Sequence, residues 1–259
     1  MSKLFAGPWV GEFGWELMMW QGHIRTMAKE FDEVIVSARP GHEYLYEDFS
    51  TLFVPVVCGN NTDGYMCSGF RYNNIHLEYI TSNDTFFPAK QYTSWDAAGN
   101  TYEFDEQTFI KYGVPLEDKH YDIIFHARNT DKHKTGYRNF DKDKWNQLSA
   151  MFPGHKKVSV GTTTAAFHID DTDDLRDISL KDLSDVFASS TMIVGPSSGP
   201  MHLASLCGLH HIVITPAFNI DRYNKYWNPL HTSCDIIVDS DWNPPVEKVR
   251  DFISLRLQT

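Results

Sequence analysis

The sequence predicts an α/β chain made of two Rossmann-like halves that face each other across a cleft. Short β-branched runs alternate with stretches of helical periodicity along most of its 259 residues, the pattern of parallel sheets with helices on their faces. The alternation lapses over residues 59–100 and is broken near residue 115 by a connection that carries glycine and proline. Several of the runs end in loops of glycine, proline and serine, and in such sheets ligands sit beyond the carboxyl ends of the strands.

The first half, residues 1–115, opens with a short strand from Lys3 to Ala6 and the turn-rich GPWVGEFG. A helix is expected from Trp15 to Phe31, with Leu17, Trp20, Ile24 and Met27 on one face. EVIVSA at 33–38 is a β-branched strand closed by Arg39-Pro40-Gly41. GHEYLYEDF reads as a short helix and LFVPVV at 52–57 as a further strand, which completes a β-α-β-α-β order. Residues 59–100 are rich in Asn, Gly, Ser, Thr and Tyr and read as irregular, with one or two short strands. YGVPLEDK, within 108–119, reads as the linker.

The second half, 116–259, begins with the buried strand YDIIFHAR, followed by a helix from Asp141 to Phe152 with Asp141 as its cap. KKVSVG, TMIVGP and HHIVITP are strands, while LKDLSDVFASS and MHLASLCG are helices. The tail from Val246 to Leu257 has helical spacing and is free to pack back on the first half.

Composition narrows the partners. Apolar residues at 42 % supply a core, and 34 acidic against 23 basic side chains leave a formal charge of −11. An acidic surface repels nucleic-acid phosphates, so a nucleic-acid partner is disfavoured. The sequence shows neither a twenty-residue apolar run nor a leader pattern, which reads as a cytoplasmic protein with no membrane span. Cys58, Cys67, Cys207 and Cys234 lack the C-x-x-C spacing of a zinc site or a disulfide framework, and Cys207 reads as core.

The most informative loop follows TMIV. Gly195-Pro196-Ser197-Ser198-Gly199-Pro200-Met201-His202 runs from a strand straight into a helix. Unpaired backbone N–H groups and the helix dipole there form an anion site, and small residues let a phosphate approach. Ser197 and Ser198 add hydroxyl donors and His202 a ring donor; the plain alternative is an ordinary serine-capped loop.

The stretch DLSDVFASSTMIVGPSSGPMHLASLCGLHHIVI resembles the donor-site segment of the heptosyltransferase-like (ADP-heptose:lipopolysaccharide type) glycosyltransferases, which share the two-domain GT-B fold. The likeness covers Tyr121 to Pro216, carried by helix, strand, G-x-[ST]-x-G-x-x-H and helix; before that it is topological only. It implies a nucleotide-sugar diphosphate held at Ser198, Gly199, Pro200, Met201 and His202, an acceptor-binding first half and a donor-binding second half. At Ser197 the sequence departs from the acidic residue common in that family.

A second cluster is HARNTDKHK at 126–134, where Arg128, Lys132 and Lys134 follow a strand. The resemblance implies a cation there that neutralises the departing diphosphate, and fixed cations stabilise such developing charge. A solvated loop is the alternative for these lysines. Thr162 to His168, after KKVSVG, is placed to receive the nucleoside. Asp170, Asp171, Asp173 and Asp174 fit no EF-hand spacing and read as solvated, and the resemblance implies no metal.

A third constellation is Gly11-Glu12-Phe13-Gly14-Trp15-Glu16. Two glycines permit a tight turn and close substrate approach. Inverting transfer needs a base for the acceptor hydroxyl, and the resembling family carries an acidic residue in this loop, so Glu12 is the candidate base. Glu16 is its reserve, with helix-dipole complementation as the alternative. Arg39 is placed to contact an acceptor, and Arg222, in RYNKYWNP, to approach the donor. His23, His42 and His126 have no partner that the sequence names.

These residues point to an inverting glycosyltransferase with no cofactor and a UDP-, GDP- or ADP-sugar as co-substrate. Its acceptor is expected to be a glycan or lipid-linked saccharide, or else a hydroxymethylated DNA base as in short phage-type enzymes. The competing readings are a phosphosugar or nucleotide-sugar isomerase or epimerase on the same scaffold, and a non-catalytic nucleotide-binding module.

Overall fold

The computed structural model describes residues 2–57, 74–89, 107–130 and 138–258. It divides into two compact units, Met1–Phe109 and Ile110–Thr259. The division falls ahead of the YGVPLEDK stretch because that stretch is bonded to the second unit. Tyr112 N–H donates to the Leu206 carbonyl (3.0 Å), Val114 N–H to Asp185 (2.9 Å) and Leu116 N–H to the Ser189 hydroxyl (2.8 Å).

In the first unit the strands are β1 (Lys3–Trp9), β2 (Glu33–Ala38), β3 (Leu52–Pro55) and β4 (Thr85–Phe87). They lie side by side in the order β3-β2-β1-β4, all parallel. Phe5, Ile35, Val54 and Ile80 form a buried cluster against this sheet. Strand β1 runs past the expected Ala6, and the helical path starts earlier than Trp15: α1 (Phe13–Trp15), a π-helical turn over Glu16–Trp20, then α2 (Gln21–Ala28). Every residue of the π turn is buried. GHEYLYEDF forms only a single 3-10 turn, Glu43–Leu45, since so short a segment does not repay helix nucleation. Within 59–100, only 74–89 is described; it carries the 3-10 turn Ile75–Glu78 and strand β4.

The second unit contains β5 (Ile123–Phe125), β6 (Lys157–Ser159), β7 (Asp173–Asp174), β8 (Met192–Pro196), β9 (His210–Thr215) and β10 (Cys234–Val238). Their spatial order is β10-β9-β8-β5-β6-β7, again parallel. This is the six-strand Rossmann order, and its reversal of direction falls between β5 and β8, where ligands bind in open α/β sheets. The helices are α3 (Lys142–Ala150), α4 (Leu180–Ser189), α5 (Gly199–Cys207), α6 (Ile220–Lys225) and α7 (Val246–Leu257).

Strands β5, β8 and β9 are buried on both faces, as expected when helices cover a parallel sheet. Trp145 of α3 packs edge-on against Phe140 and Phe125, at centroid distances of 4.8 and 6.0 Å. The final helix α7 contributes Val246, Val249 and Ile253 to this same core, so it packs into its own unit. Asp141 occupies the N-cap position of α3, but its side chain makes no capping bond.

Two strands escape the sequence pattern. CDIIV, β10, is half-covered and flanked by acids. Inside the acidic run, Asp173 and Asp174 pair with Val158 and Ser159 as an edge strand. Its carboxylates are exposed yet engaged: Asp171 with Lys157, Asp174 with Arg176, and Asp170 with Asn146. Cys207 is buried, and Cys207 and Cys234 are free thiols; Cys58 and Cys67 lie outside the described residues.

Gly7 places the chain leaving β1. Its φ is +127°, and a Cβ there would lie 2.3 Å from the Ser37 carbonyl oxygen on β2. Gly7→Ala is therefore expected to destabilise the protein by about 2 kcal/mol or more, read from urea unfolding midpoints. An unchanged midpoint would contradict that placement.

Candidate functional site

The loops leaving β5 and β8 are brought together by strand pairing. His126 N–H donates to the Val194 carbonyl at 3.0 Å. A Cβ on Gly195 would meet the His126 carbonyl oxygen at 2.9 Å and Met201 Sδ at 3.1 Å, so only glycine allows this approach.

Beyond Gly195 the chain enters α5. Ser198 is its N-cap, in extended conformation, and the Ser198 hydroxyl turns back to donate to the Pro196 carbonyl at 2.8 Å. Met201 and His202 N–H both bond the Ser198 carbonyl. The Ser198 and Gly199 N–H groups open the helix and so lack an intrahelical acceptor, and they carry the positive end of the helix dipole; Pro200 has no N–H. Ser197 is buried; its N–H donates to the Ile214 carbonyl, and its hydroxyl accepts from Tyr223 at 2.8 Å.

Cations flank this turn. Arg128, just after β5, is buried and donates to Asn139 Oδ1 at 2.5 Å. Arg138, adjacent to Asn139, donates to the Ser197 carbonyl at 2.9 Å and stacks over Trp242, and its buried Nε has no partner among the described residues. Sequence reasoning missed Arg138, since its link to Ser197 joins residues far apart in the chain. Lys132 and Lys134 lie outside the described residues.

Behind the turn, His202 packs against Tyr223 (5.8 Å) and edge-on to Trp227 (4.9 Å). Burial, then the neighbouring His211 and Arg138, hold the His202 pKa down to about 3, so it acts as a neutral ring near pH 7. Its buried Nδ1 has no hydrogen-bond partner among the described residues. Arg222 of α6 donates to Asn219 and lies over Trp227, and burial lowers its pKa to about 10. Thr162, after β6, is exposed; its carbonyl accepts from Ala165 and Ala166 and its hydroxyl pairs with Thr164. The structure thus groups Arg128 with Ser197–His202 and the Arg222 segment, and places Thr162 on the neighbouring strand's loop.

The first unit has its own constellation at the carboxyl end of its sheet. Arg39, buried, donates to the Val10 and Gly11 carbonyls, so it holds the glycine loop itself. Glu12 is the N-cap of α1 and its side chain makes no capping bond. Neither Gly11 nor Gly14 adopts a positive φ, and Gly14 is helical, so the loop does not use the glycines' left-handed freedom. Glu16 is completely buried: Tyr46 donates to Oε1 at 2.6 Å, and His42 Nδ1 lies 2.7 Å from Oε2. These partners, rather than the helix dipole, account for Glu16. His42 thereby acquires the partner its sequence context left unnamed.

A scan against family models finds no match for the chain, and neither does a search of curated proteins. Among solved structures it is similar to the E. coli ADP-heptose LPS heptosyltransferase II, with 13 % identity and a TM-score of 0.65 over 100 % of this chain and 99 % of that one. A family 9 glycosyl transferase of Veillonella parvula gives 10 % identity and a TM-score of 0.65, covering 100 % and 98 %. The E. coli heptosyltransferase WaaC with ADP gives 10 % identity and 0.61, covering 99 % and 100 %. At such identities the likeness establishes the fold, which is of the GT-B glycosyltransferase type. All three are sugar transferases, and the isomerase or epimerase alternative has no counterpart among them. Among the described residues, no helix is long and apolar enough to cross a membrane.

The buried histidines predict an acid-sensitive fold. Burial holds His126 and His211 down to about 4, and His202 to about 3, against an ordinary 6.5. The unfolded chain therefore binds protons that the folded one refuses, so stability is full above about pH 6.5 and is lost as pH falls toward these values. Urea midpoints are expected to drop between about pH 7 and pH 4.5, with His211→Leu flattening the slope; a flat profile for the parent protein would contradict the burial.

Proposed function

We propose that this chain is an inverting glycosyltransferase that moves a sugar from a nucleoside-diphosphate sugar to an acceptor hydroxyl without a metal. The observation that carries the proposal is the turn at Ser198–Gly199, whose N–H groups have no intrahelical acceptor, at the strand-order reversal with Arg128 and Arg138 beside it. Backbone donors and a helix N-terminus bind a diphosphate, and guanidinium groups neutralise the charge it gains on leaving. His202, held neutral, contributes a hydrogen bond and not a charge. Thr162 serves the nucleoside, and Arg222 and Lys132 serve the donor. The ligands in structures of similar fold, ADP in one heptosyltransferase and ADP-2-deoxy-2-fluoro heptose in another structure of the same enzyme, are consistent with this ligand class.

The first unit serves the acceptor, with Gly11, Glu12 and Gly14 forming the loop that meets it and Arg39 bracing that loop from behind. An acidic chain of net charge −11 favours a glycan or lipid-linked saccharide over a DNA base as acceptor. The site of action is the cytoplasm, where nucleotide sugars serve as donors.

A thermal-shift panel of UDP-, GDP- and ADP-sugars tests the donor site. A donor at a hundred times its Kd stabilises by about 2.7 kcal/mol, and no shift from any of them would sink the proposal. Arg128→Lys, which loses the planar fork, and Arg138→Ala are expected to weaken the responding donor about tenfold or more, measured by calorimetry. Glu12→Gln is expected to lower transfer about tenfold with donor affinity unchanged; parent-like turnover would remove Glu12 from the acceptor loop's function.

A further inference from the structure

The Glu16–His42 pair in the first unit has the construction of a histidine held as a base. His42 closes the turn Arg39-Pro40-Gly41-His42: His42 N–H donates to the Arg39 carbonyl at 3.2 Å, and Gly41 takes a φ of +84°. Proline second and a positive-φ glycine third are what such a turn requires. The turn leaves the carboxyl end of β2, so it lies on the same sheet edge as the glycine loop after β1. Phe13, next to Glu12, packs edge-on against the His42 ring at 5.5 Å.

The hydrogen bonds choose the tautomer. An ionised carboxylate only accepts, so Glu16 Oε2, 2.7 Å from Nδ1, requires the proton on Nδ1 and leaves the lone pair on Nε2. Tyr46 donates to the other oxygen, which fixes the carboxylate's orientation. Glu16 is fully buried while the His42 side chain is 17 % exposed, and among the described residues the ring's hydrogen bond is the one at Nδ1. The carboxylate therefore sits behind the ring, and the basic nitrogen faces outward. Glu16 also opens the π-helical turn, a distortion that often marks functional positions.

We propose that His42 is the general base of sugar transfer, with Glu16 and Tyr46 as its positioning residues and Glu12 left to bind the acceptor. This rests on the glycosyltransferase reading. As the acceptor oxygen bonds to the anomeric carbon, the carbon–oxygen bond to the diphosphate breaks and the nucleoside diphosphate leaves with that electron pair. The acceptor's proton passes to His42 Nε2, Glu16 stabilises the resulting imidazolium through Nδ1–H, and the proton is later released to water. A carboxylate behind a histidine is the arrangement that holds the ring in its reactive tautomer in other acid–base sites.

The test uses the full chain, the nucleotide sugar that shifts its melting temperature, and a mixture of small saccharides and water as acceptors, with nucleoside diphosphate release as the readout. His42→Asn keeps a donor toward Glu16 but has no base. It is expected to lose about a hundredfold or more in kcat while melting temperature and donor-induced shift stay at parent values. His42→Ala is expected to lose as much and to regain rate when imidazole is added, with no effect of imidazole on the parent. Glu16→Gln, which can donate to Nδ1 and so reverse the tautomer, is expected to lose about tenfold to a hundredfold in kcat with donor KM unchanged. Parent-like release by His42→Asn, or a loss in His42→Ala that imidazole does not rescue and that tracks a lowered melting temperature, overturns the assignment of His42. A protein that binds no nucleotide sugar, or releases no diphosphate from one, overturns the glycosyltransferase reading beneath it.

Discussion

Strand β8 runs so close to β5 that residue 195 has no room for a side chain, and the architecture of the second unit follows from that approach. The close pair sits where the strand order reverses, so the loops leaving both strands diverge to opposite sides and open a crevice between them. One loop enters α5 through a turn whose N–H groups have no intrahelical acceptor; the other carries Arg128. Parallel pairing puts the helix-opening turn and the Arg128 loop side by side, because it aligns the carboxyl ends of neighbouring strands at a single edge.

The charge economy of that edge is deliberate in a physical sense. Burial suppresses protonation of His126, His202 and His211, so the permanent positive charge comes from guanidinium groups that remain ionised. Asn139 takes a bond from Arg128, and the Ser197 carbonyl takes one from Arg138. Both of these bonds go to neutral acceptors, which orient the guanidinium groups. The first unit shows the complementary logic. There a carboxylate, Glu16, is taken wholly out of solvent, and its cost is offset by Tyr46 and His42.

The parts of the molecule that were legible in the sequence are those set by local patterning. Apolar runs such as IIF, MIVGP and HHIVIT became central parallel strands because both faces need covering, and the serine–glycine–proline turn became a helix N-terminus because serine suits the N-cap and proline the first turn. The paired strand of two aspartates, β7, was illegible: no propensity favours acids in a sheet, and only the partner strand Lys157–Ser159 makes that segment extended. The GHEYLYEDF stretch misled in the other direction. Its helical composition is outweighed by burial of Leu45 and Tyr46 and by the bond from Tyr46 to Glu16.

The sequence by itself determined the α/β class, the two-part organisation of strands and helices, and the turn that opens α5, since each depends on residues within a few positions of one another. Only the tertiary structure decided which distant side chains meet: Arg138 at Ser197, Tyr223 on the Ser197 hydroxyl, Arg39 beneath the Val10–Gly11 carbonyls, and His42 against Glu16. Those contacts join residues brought together by strand order and by the turns between elements. Periodicity and motif spacing record which way a chain segment faces, not which other segment it will face.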